Sequence, residues 1–419
     1  MSESYGSLRI NVRAADRAVS GDCSYCGIPI ENARVIITDR DSLRTIEELR
    51  TDISGQTPPV VLPAPPPGYS QKANSGKPYS EYNVFIESEG FERAAYYGVQ
   101  IFPDSASVSD AQLRYITGSG ASPAGIVVPE PVLWGAYPAK IPENEVKELP
   151  PTDGYVVLPR AVIPEYIVVH LGTPSNASAQ NVWVPFREYI KNVACSEIYC
   201  TWPKETIRAN VTAIVSFTLN RVYTEWYRGK GYDFTITNTT AYDQAFSYGR
   251  TLFEEITVIV DEIFSTYLTR PGIRQPLLTQ YCDGRKVNCE KGLKQWGSKE
   301  LGDSGYTAFD ILKYYYGYDC YYEQAEKVEG VPVSFGGRLL TYGSSGDDVR
   351  TVQEQLNRIG EIYAMINRLP VTGFYGEQTT AAVKTFQMIF GLPESGNVDF
   401  STWYRISDIY TSIEKLAEL

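Results

Sequence analysis

The sequence predicts a multidomain protein with an N-terminal all-β sandwich, a middle α+β domain and a small C-terminal domain of three helices. Its length of 419 residues corresponds to about three domains. Apolar and polar residues alternate along segments between residues 7 and 112, as they do in half-buried strands. After Pro164 the apolar residues instead take the spacing of amphipathic helices.

The composition excludes several classes of protein. Hydrophobic residues make up 43% and charged residues 21% of the chain, which is typical of a folded globular protein. The net charge is −12 and no run of five or more basic residues occurs, so nucleic acid is not an expected partner. No apolar segment approaches the roughly 20 residues that span a bilayer, and the N-terminus lacks the layout of a Sec-type signal peptide. We therefore expect no membrane span and no Sec-type export.

The chain has seven cysteines and one histidine, so few thiolate or imidazole ligands are available for a metal site. The cysteines form three local pairs and one remainder: Cys23 and Cys26, Cys195 and Cys200, Cys282 and Cys289, and Cys320. A tetrahedral zinc site needs converging thiolates or imidazoles, and His170 lies on the apolar segment EYIVVHLG, where a core role is expected. We predict no metal and no cofactor. Cys282 and Cys289 flank a turn at Gly284 within a predicted hairpin and are expected to lie close enough to form a disulfide.

Residues 1–112 are predicted to form the sandwich, with strands at LRINVRA, ARVIITD, YNVFIES and YYGVQIF. The proline-rich segment QTPPVVLPAPPPGYSQKANSGKP is predicted to be a loop along a sheet edge. The order of strands, especially TDISGQTPPVVLPAP followed by PYSEYNVFIESEGF, resembles the transthyretin-like, carboxypeptidase-regulatory type of sandwich. That resemblance implies an adhesive or supporting module. Residues 113–165 are predicted to be an ordered Pro/Gly-rich connector with short strands at GIVVP and YVVLP.

The middle domain, residues 166–322, is predicted to contain four helices. The first covers residues 186 to 198, and a longer one follows Pro203. A third is expected from 248 to about 267. A short helix is expected to begin after Thr307 and to end at Gly317.

Residues 187–317 resemble the stage II sporulation protein D family, which comprises peptidoglycan lytic transglycosylases and amidase enhancers. Three stretches show the likeness: IKNVACSEIYCTWPKETIRANVTAIVSFTLNR, ITNTTAYDQAFSYGR and YCDGRKVNCEKGLKQWGSKELGDSGYTAFDILKYYYG. The resemblance implies that Glu197 is the catalytic acid and that Tyr242, Gln244, Gln295 and Trp296 form the walls of a glycan groove. A simpler alternative is that Glu197 only ends a helix or pairs with Arg187 or Lys204.

Two departures from this family bear on activity. The Cys and His residues common in the family's second stretch are replaced by the segment TAYDQ, residues 240–244, so no zinc is expected there. The family's Arg-Thr-Tyr on the long helix is replaced by VSF, residues 215–217, which removes a basic group from the expected groove.

Residues 336–419 are predicted to form three helices whose apolar stripes face a common core. The surrounding residues resemble a three-helix peptidoglycan-binding domain. They are Leu340, Gly343, Gly346, Val349, Gln353, Leu356, Gly373, Phe374, Tyr375, Gly376, Thr379, Ala382, Val383, Phe386, Gln387, Gly391, Leu392, Gly396, Thr402 and Trp403. This resemblance implies that peptidoglycan is the partner.

Together these patterns lead to two hypotheses. The first is a protein of the cell wall or spore that binds peptidoglycan and cleaves its glycan strands as a lytic transglycosylase. The alternative is a noncatalytic wall-binding structural or assembly component, spore-associated or part of a phage-like injection machine, whose middle domain keeps the fold without the activity.

Overall fold

The structure is a computed structural model that describes residues 4–14, 29–116, 125–147, 161–164, 166–327, 339–361, 363–390, 392–399, 402–403, 405–407 and 409–410. Three hydrophobic cores account for most of the buried side chains: one in the N-terminal sandwich, one in the middle region and one in the C-terminal helices. In the described ranges no helix is both long and apolar enough to cross a membrane. Cys23, Cys26 and the predicted strand YVVLP lie outside the described residues.

The N-terminal region forms the predicted β-sandwich. Its strands are β1 (Ser4–Ala14), β2 (Arg34–Asp39), β3 (Thr45–Arg50), β4 (Val60–Ala64), β5 (Ser80–Glu87), β6 (Ala94–Ile101), β7 (Ala106–Leu113) and β8 (Ile126–Val127). Leu8, Ile10 and Val12 alternate with less buried residues along β1, so one face of the strand packs into the core. The opposite sheet has the order β3-β2-β5-β6-β8.

The proline-rich segment differs from its prediction. Val60–Ala64 is not a loop but strand β4, which pairs antiparallel with β1 at the edge of its sheet. Pro63 is tolerated there because an edge strand does not need every N–H for pairing.

The middle region contains more elements than predicted. They are β9 (Val162–Ile163), β10 (Tyr166–His170), β11 (Asn181–Pro185), α1 (Phe186–Glu197), α2 (Lys204–Tyr223), β12 (Ile236–Thr237), β13 (Leu252–Phe253), α3 (Glu254–Ile263), β14 (Thr266–Thr269), β15 (Tyr281–Cys282), β16 (Leu293–Lys294), α4 (Gln295–Asp303), α5 (Ala308–Tyr316), β17 (Tyr321–Gln324) and β18 (Glu326–Lys327). Helix α2 packs against α1, α3, α4 and α5, and most of its residues are buried. It is therefore the central helix of the region.

Helices α1, α2 and α5 confirm the predictions, and the hydroxyl of Thr307 accepts a hydrogen bond from the N–H of Asp310 as a helix cap. The predicted helix from 248 to 267 is wrong at both ends, because α3 covers only Glu254–Ile263. Phe253 has extended backbone and pairs with Ser107 of β7, so strand pairing replaces the first turns of that helix. Helix α4 was not predicted, because QWGSKELGD has no clear apolar period.

Strand β13 joins the sandwich to the middle region. It extends the first sheet to the order β13-β7-β1-β4, although it lies far along the chain from the other three strands. Across the same boundary the ring of Phe102 contacts Tyr199 and Phe253, with centroids 5.4 and 5.0 Å apart. The carboxylate of Glu255 accepts hydrogen bonds from Ser105 and Ala106. The two regions therefore share a sheet and a core.

The C-terminal domain has α6 (Asp347–Gly360) and α7 (Glu377–Ile389) where helices were predicted. Thr402, Trp403, residues 405–407, Ile409 and Tyr410 are helical and agree with the third predicted helix. Trp403, Val349, Val383 and Phe386 are buried together in the core between these segments.

The shared core makes the stability of the middle region depend on the sandwich. We expect Phe102→Ala to lower the free energy of unfolding by about 3–5 kcal/mol, as for other buried phenylalanines. All six tryptophans follow residue 113, so tryptophan fluorescence during urea unfolding does not report on the sandwich. The control is Phe85→Ala, at a half-buried position of β5. A fluorescence midpoint equal to that of the wild type would contradict the shared core.

Candidate functional site

Glu197 is the last residue of α1, at the centre of the middle region. The helix follows directly after β11 and ends because Ile198 takes an extended conformation. Nearly every residue of α1 is buried, so the helix is held on all sides. Its C-terminal end has a partial negative charge, and a carboxylate placed there needs hydrogen-bond donors.

Three donors surround the carboxylate of Glu197. Its Oε1 accepts a hydrogen bond from the N–H of Ala245 at 3.0 Å and from the hydroxyl of Tyr281 at 3.3 Å. Its Oε2 accepts one from Nε2 of Gln295 at 3.1 Å. The possible ion pairs are made elsewhere: Arg187 pairs with Asp261 and Lys204 with Glu262. Glu197 is thus oriented by neutral donors.

Glu197 also lines a pocket with a volume of about 270 Å³. The residues that line it are Val132, Gly135, Ala136, Tyr137, Pro138, Lys140, Glu197, Thr240, Tyr281, Cys282, Asp283, Lys286 and Val287. Small-molecule sites commonly have volumes of about 300–1,000 Å³, so this pocket lies just below the lower end of that range.

One wall of the pocket comes from residues 129–147, which we call the strap. This segment belongs to the predicted connector, and it lies across the middle domain. The N–H of Val132 donates to the carbonyl of Ser196 at 2.8 Å, and the N–H of Ile141 donates to the carbonyl of Ala241 at 2.7 Å. The strap is therefore a fixed part of the site.

Lys140 extends from the strap into the pocket. Its ammonium donates hydrogen bonds to the carbonyls of Thr240 and Asp243 and lies 4.6 Å from the ring centroid of Tyr281. It also lies 5.6 Å from the ring of Phe217, on α2. Burial lowers the pKa of Lys140, and the carboxylates of Glu197 and Asp243 offset part of that decrease. Sequence reasoning missed Lys140 and Tyr281, because neither stands in a pattern that marks a site.

A buried guanidinium fixes two walls of the pocket. Arg221 of α2 donates from Nε to Asp243 at 2.7 Å and from Nη2 to Glu143 of the strap at 2.6 Å. The other oxygen of Asp243 accepts hydrogen bonds from Tyr227 and Thr237. Burial raises the pKa of Glu143, but hydrogen bonds from Arg221 and Lys147 outweigh it and leave the pKa below its ordinary value.

The other four predicted site residues lie around Glu197 but outside the lining of its pocket. Gln295 contacts Glu197 directly, whereas the buried side chain of Gln244 bonds to Tyr189 and Thr218. Tyr242 is half-buried, and its carbonyl accepts a hydrogen bond from Arg221. Trp296 packs on Trp202 and lines a smaller, neighbouring pocket. The second stretch thus contacts Glu197 through the backbone of Ala245 rather than through the predicted side chains.

Cys282 and Cys289 form the expected disulfide, with α-carbons 6.1 Å apart. Cys282 lines the pocket, and the bridge closes the loop that carries Asp283 and Lys286. β15 and β16 on either side of this loop run parallel, so it is not the predicted hairpin. His170 stacks on Phe234 in the interior, as expected for a core histidine. The described residues contain no group of three His, Cys, Asp or Glu that could hold a metal ion.

Two buried glutamines organise the C-terminal domain. The side chain of Gln353 bonds to the N–H groups of Thr372 and Gly373, and that of Gln387 accepts from the N–H of Gly396. Gly373 and Gly396 have φ angles of +72° and +68°, which glycine adopts without strain. Each of these glutamines, on α6 or α7, therefore bonds to a glycine of the predicted pattern in the loop that follows its helix.

Two aromatic rings are exposed on neighbouring loops of this domain. Tyr342 is 62% and Phe374 49% exposed. Their loops are joined by hydrogen bonds between the backbones of Gly343, Ser344 and Tyr375. Exposed rings at this position can stack on the apolar faces of sugars.

Comparison with solved structures finds only partial likenesses. A mutant catechol 1,2 dioxygenase from Acinetobacter radioresistens has 11% identity and a TM-score of 0.19, with 29% of this chain and 56% of that chain covered. A 3-chlorocatechol 1,2-dioxygenase from Rhodococcus opacus 1CP has 13% identity and a TM-score of 0.16, with 27% and 62% covered. Likenesses this weak say nothing about the function of this chain.

Sequence comparison is more informative about the C-terminal domain. No curated protein matches the chain. No match to the stage II sporulation protein D family is found either. Residues 345–406 match the model of the peptidoglycan binding domain family. This match confirms the prediction for the C-terminal helices: the chain contains a peptidoglycan-binding domain.

Proposed function

We propose that the protein binds peptidoglycan of the cell wall through its C-terminal domain and presents the Glu197 pocket to the bound glycan. The observation that carries the first part is the family match over residues 345–406. The exposed rings of Tyr342 and Phe374 supply the sugar-stacking surface. The disulfide between Cys282 and Cys289 agrees with a location outside the reducing cytoplasm.

The finer proposal is that Glu197 cleaves glycan strands as the acid of a lytic transglycosylase. Its carboxyl group protonates the glycosidic oxygen while the bond to the anomeric carbon of N-acetylmuramic acid breaks. The resulting carboxylate then accepts the proton of the C6 hydroxyl, whose oxygen attacks the same anomeric carbon. The products are a 1,6-anhydro sugar and a shortened strand, and Glu197 regains its proton without consuming water.

The position of Glu197 supports this proposal. The carboxylate lies at a pocket wall, and Tyr281, Gln295 and Ala245 fix its orientation. Residues 215–217 of α2 lack the arginine that the stage II sporulation protein D family has there. Lys140 of the strap places a basic group at the same point, because its ammonium lies near the ring of Phe217. In this proposal Gln295 is a positioning residue. Tyr242, Gln244 and Trp296 support the walls, and Trp296 lines the adjoining pocket.

The second candidate is a noncatalytic wall-binding or assembly component, as in a spore or a phage-like injection machine. Glu197 is only 1% exposed and its oxygens accept three protein hydrogen bonds, which favours a structural role for this carboxylate. The shared sheet with the sandwich also agrees with a rigid structural module. Assignment to the spore rests on the family resemblance of residues 187–317 alone.

The wall-binding proposal predicts that the full chain sediments with purified peptidoglycan sacculi. Replacing both exposed rings, Tyr342→Ala with Phe374→Ala, is expected to weaken binding by about tenfold, because two stacking contacts of roughly 0.7 kcal/mol each are lost. The control is Met388→Ala, which removes another exposed apolar side chain of this domain. Equal recovery of the wild type in the supernatant with and without sacculi would contradict the proposal.

The catalytic proposal predicts that Glu197→Gln loses activity on denuded glycan strands by about 100- to 10,000-fold, because the amide keeps the shape but cannot transfer the proton. Mass spectrometry of 1,6-anhydromuramic ends measures the products, and sedimentation with sacculi should be unchanged. The control is Glu300→Gln, an exposed carboxylate on α4. Equal product from wild type and Glu197→Gln would clear Glu197 of the role. No product from either protein would favour the noncatalytic candidate.

A further inference from the structure

Lys140 is a partly buried cation that no carboxylate of the described residues contacts directly. It forms no ion pair within the part of the chain that the structure describes, although its ammonium is partly enclosed by Tyr281, Phe217 and the loop at Thr240. Charged groups that leave water are normally paired, because desolvation costs several kcal/mol. The other enclosed lysine of the strap, Lys147, follows this rule and pairs with Glu143 at 2.6 Å.

The ammonium of Lys140 also retains bonding capacity toward the pocket. A lysine has three N–H donors, and two of these point to the carbonyls of Thr240 and Asp243. Because Lys140 lines the pocket, the third is available to a ligand there. Burial lowers the pKa of Lys140, and an anion in the pocket would oppose that effect.

The acidic groups of the pocket are already occupied. Glu197 accepts three hydrogen bonds from uncharged donors. The carboxylate oxygens of Asp283 accept hydrogen bonds from the backbone N–H groups of Arg285, Lys286 and Val287 in its own loop. Lys286 also lines the pocket and donates to the carbonyls of Trp134 and Gly135. Among the described residues neither ammonium forms an ion pair, and the oxygens of Glu197 and Asp283 already accept hydrogen bonds from uncharged groups of the protein.

We propose that Lys140 is a ligand-binding residue that pairs with a carboxylate of the saccharide in the Glu197 pocket. This inference rests on the proposed function, since the bound saccharide is taken to be a piece of peptidoglycan. Two parts of peptidoglycan offer that chemistry: the lactyl group of muramic acid, where the peptide has been removed, and the attached peptide. The strap, which precedes the segment with the family resemblance, would thus determine which sugar the site accepts.

Calorimetric titration of the full chain with N-acetylmuramic acid and N-acetylglucosamine tests this role. A charge-assisted hydrogen bond contributes about 1.5–3 kcal/mol, so the acid is expected to bind at least about tenfold more tightly. Lys140→Met should abolish that preference. Lys204→Met, at an exposed position on α2, should retain it. The C-terminal domain is the same in all three proteins, so differences between them report on the pocket.

Two further arms keep the test decisive. Muramyl dipeptide has an amide at the lactyl position and one carboxylate on its peptide, so a Lys140-dependent preference for it identifies the peptide as the source. Lys140→Gln keeps donors for the two carbonyls without the charge, and it replaces Lys140→Met if that variant does not fold. The inference would be overturned if the wild type bound all three ligands with equal affinity. It would also be overturned if the Lys140 variant kept the preference of the wild type for the acidic ligands.

The result is separable from the catalytic proposal. A preference that depends on Lys140 without any glycan cleavage would support Lys140 and reject Glu197 as an acid. Cleavage accompanied by equal affinities would reject Lys140 alone.

Discussion

The geometry of the candidate site depends on one buried guanidinium. Arg221 has a fully buried side chain on the central helix and bonds to Asp243 on one side and to Glu143 on the other. Asp243 fixes the loop that continues to Ala245, whose N–H donates a hydrogen bond to Glu197. Glu143 fixes the strap, which contains Lys140. Removing one partner from such a buried network typically costs about 3–5 kcal/mol, because the remaining charges stay desolvated. The same residue thus stabilises the core and positions two pocket walls.

The chain combines a confirmed binding domain with a site of proposed function. Wall binding needs only exposed groups on a stable domain, and our proposal assigns this role to Tyr342 and Phe374, on loops organised by buried glutamines. Chemistry on a glycan needs more, because the reacting carboxyl group must be held in place while remaining accessible. At Glu197 the hydrogen bonds meet the first requirement, whereas the side chain is only 1% exposed and reaches a ligand only through the pocket that it lines. The shared strand β13 then holds this site rigidly against the sandwich.

Sequence patterns predicted the parts of the structure that depend on local periodicity. The stripes on α1, α2, α6 and α7 are visible as spacing in the chain. Glu197, in contrast, was singled out only by the resemblance of residues 187–317 to the stage II sporulation protein D family. The strap could not be predicted, because its position depends on long-range bonds such as those of Glu143 to Arg221 and Gln280. Tyr281 and Lys140 likewise become neighbours only through folding. β13 replaced part of a predicted helix because pairing with β7 outweighed the helical pattern.

A crystal structure of the Glu197→Gln variant soaked with the N-acetylglucosamine–N-acetylmuramic acid disaccharide tests the central claim most directly. The account predicts the muramic acid ring in the pocket beneath the strap. One of its carboxylate oxygens should lie about 2.8 Å from Nζ of Lys140, and the side chain at position 197 should lie within hydrogen-bond distance of the sugar. An empty pocket, with the disaccharide bound only to the C-terminal domain at saturating concentration, would contradict it.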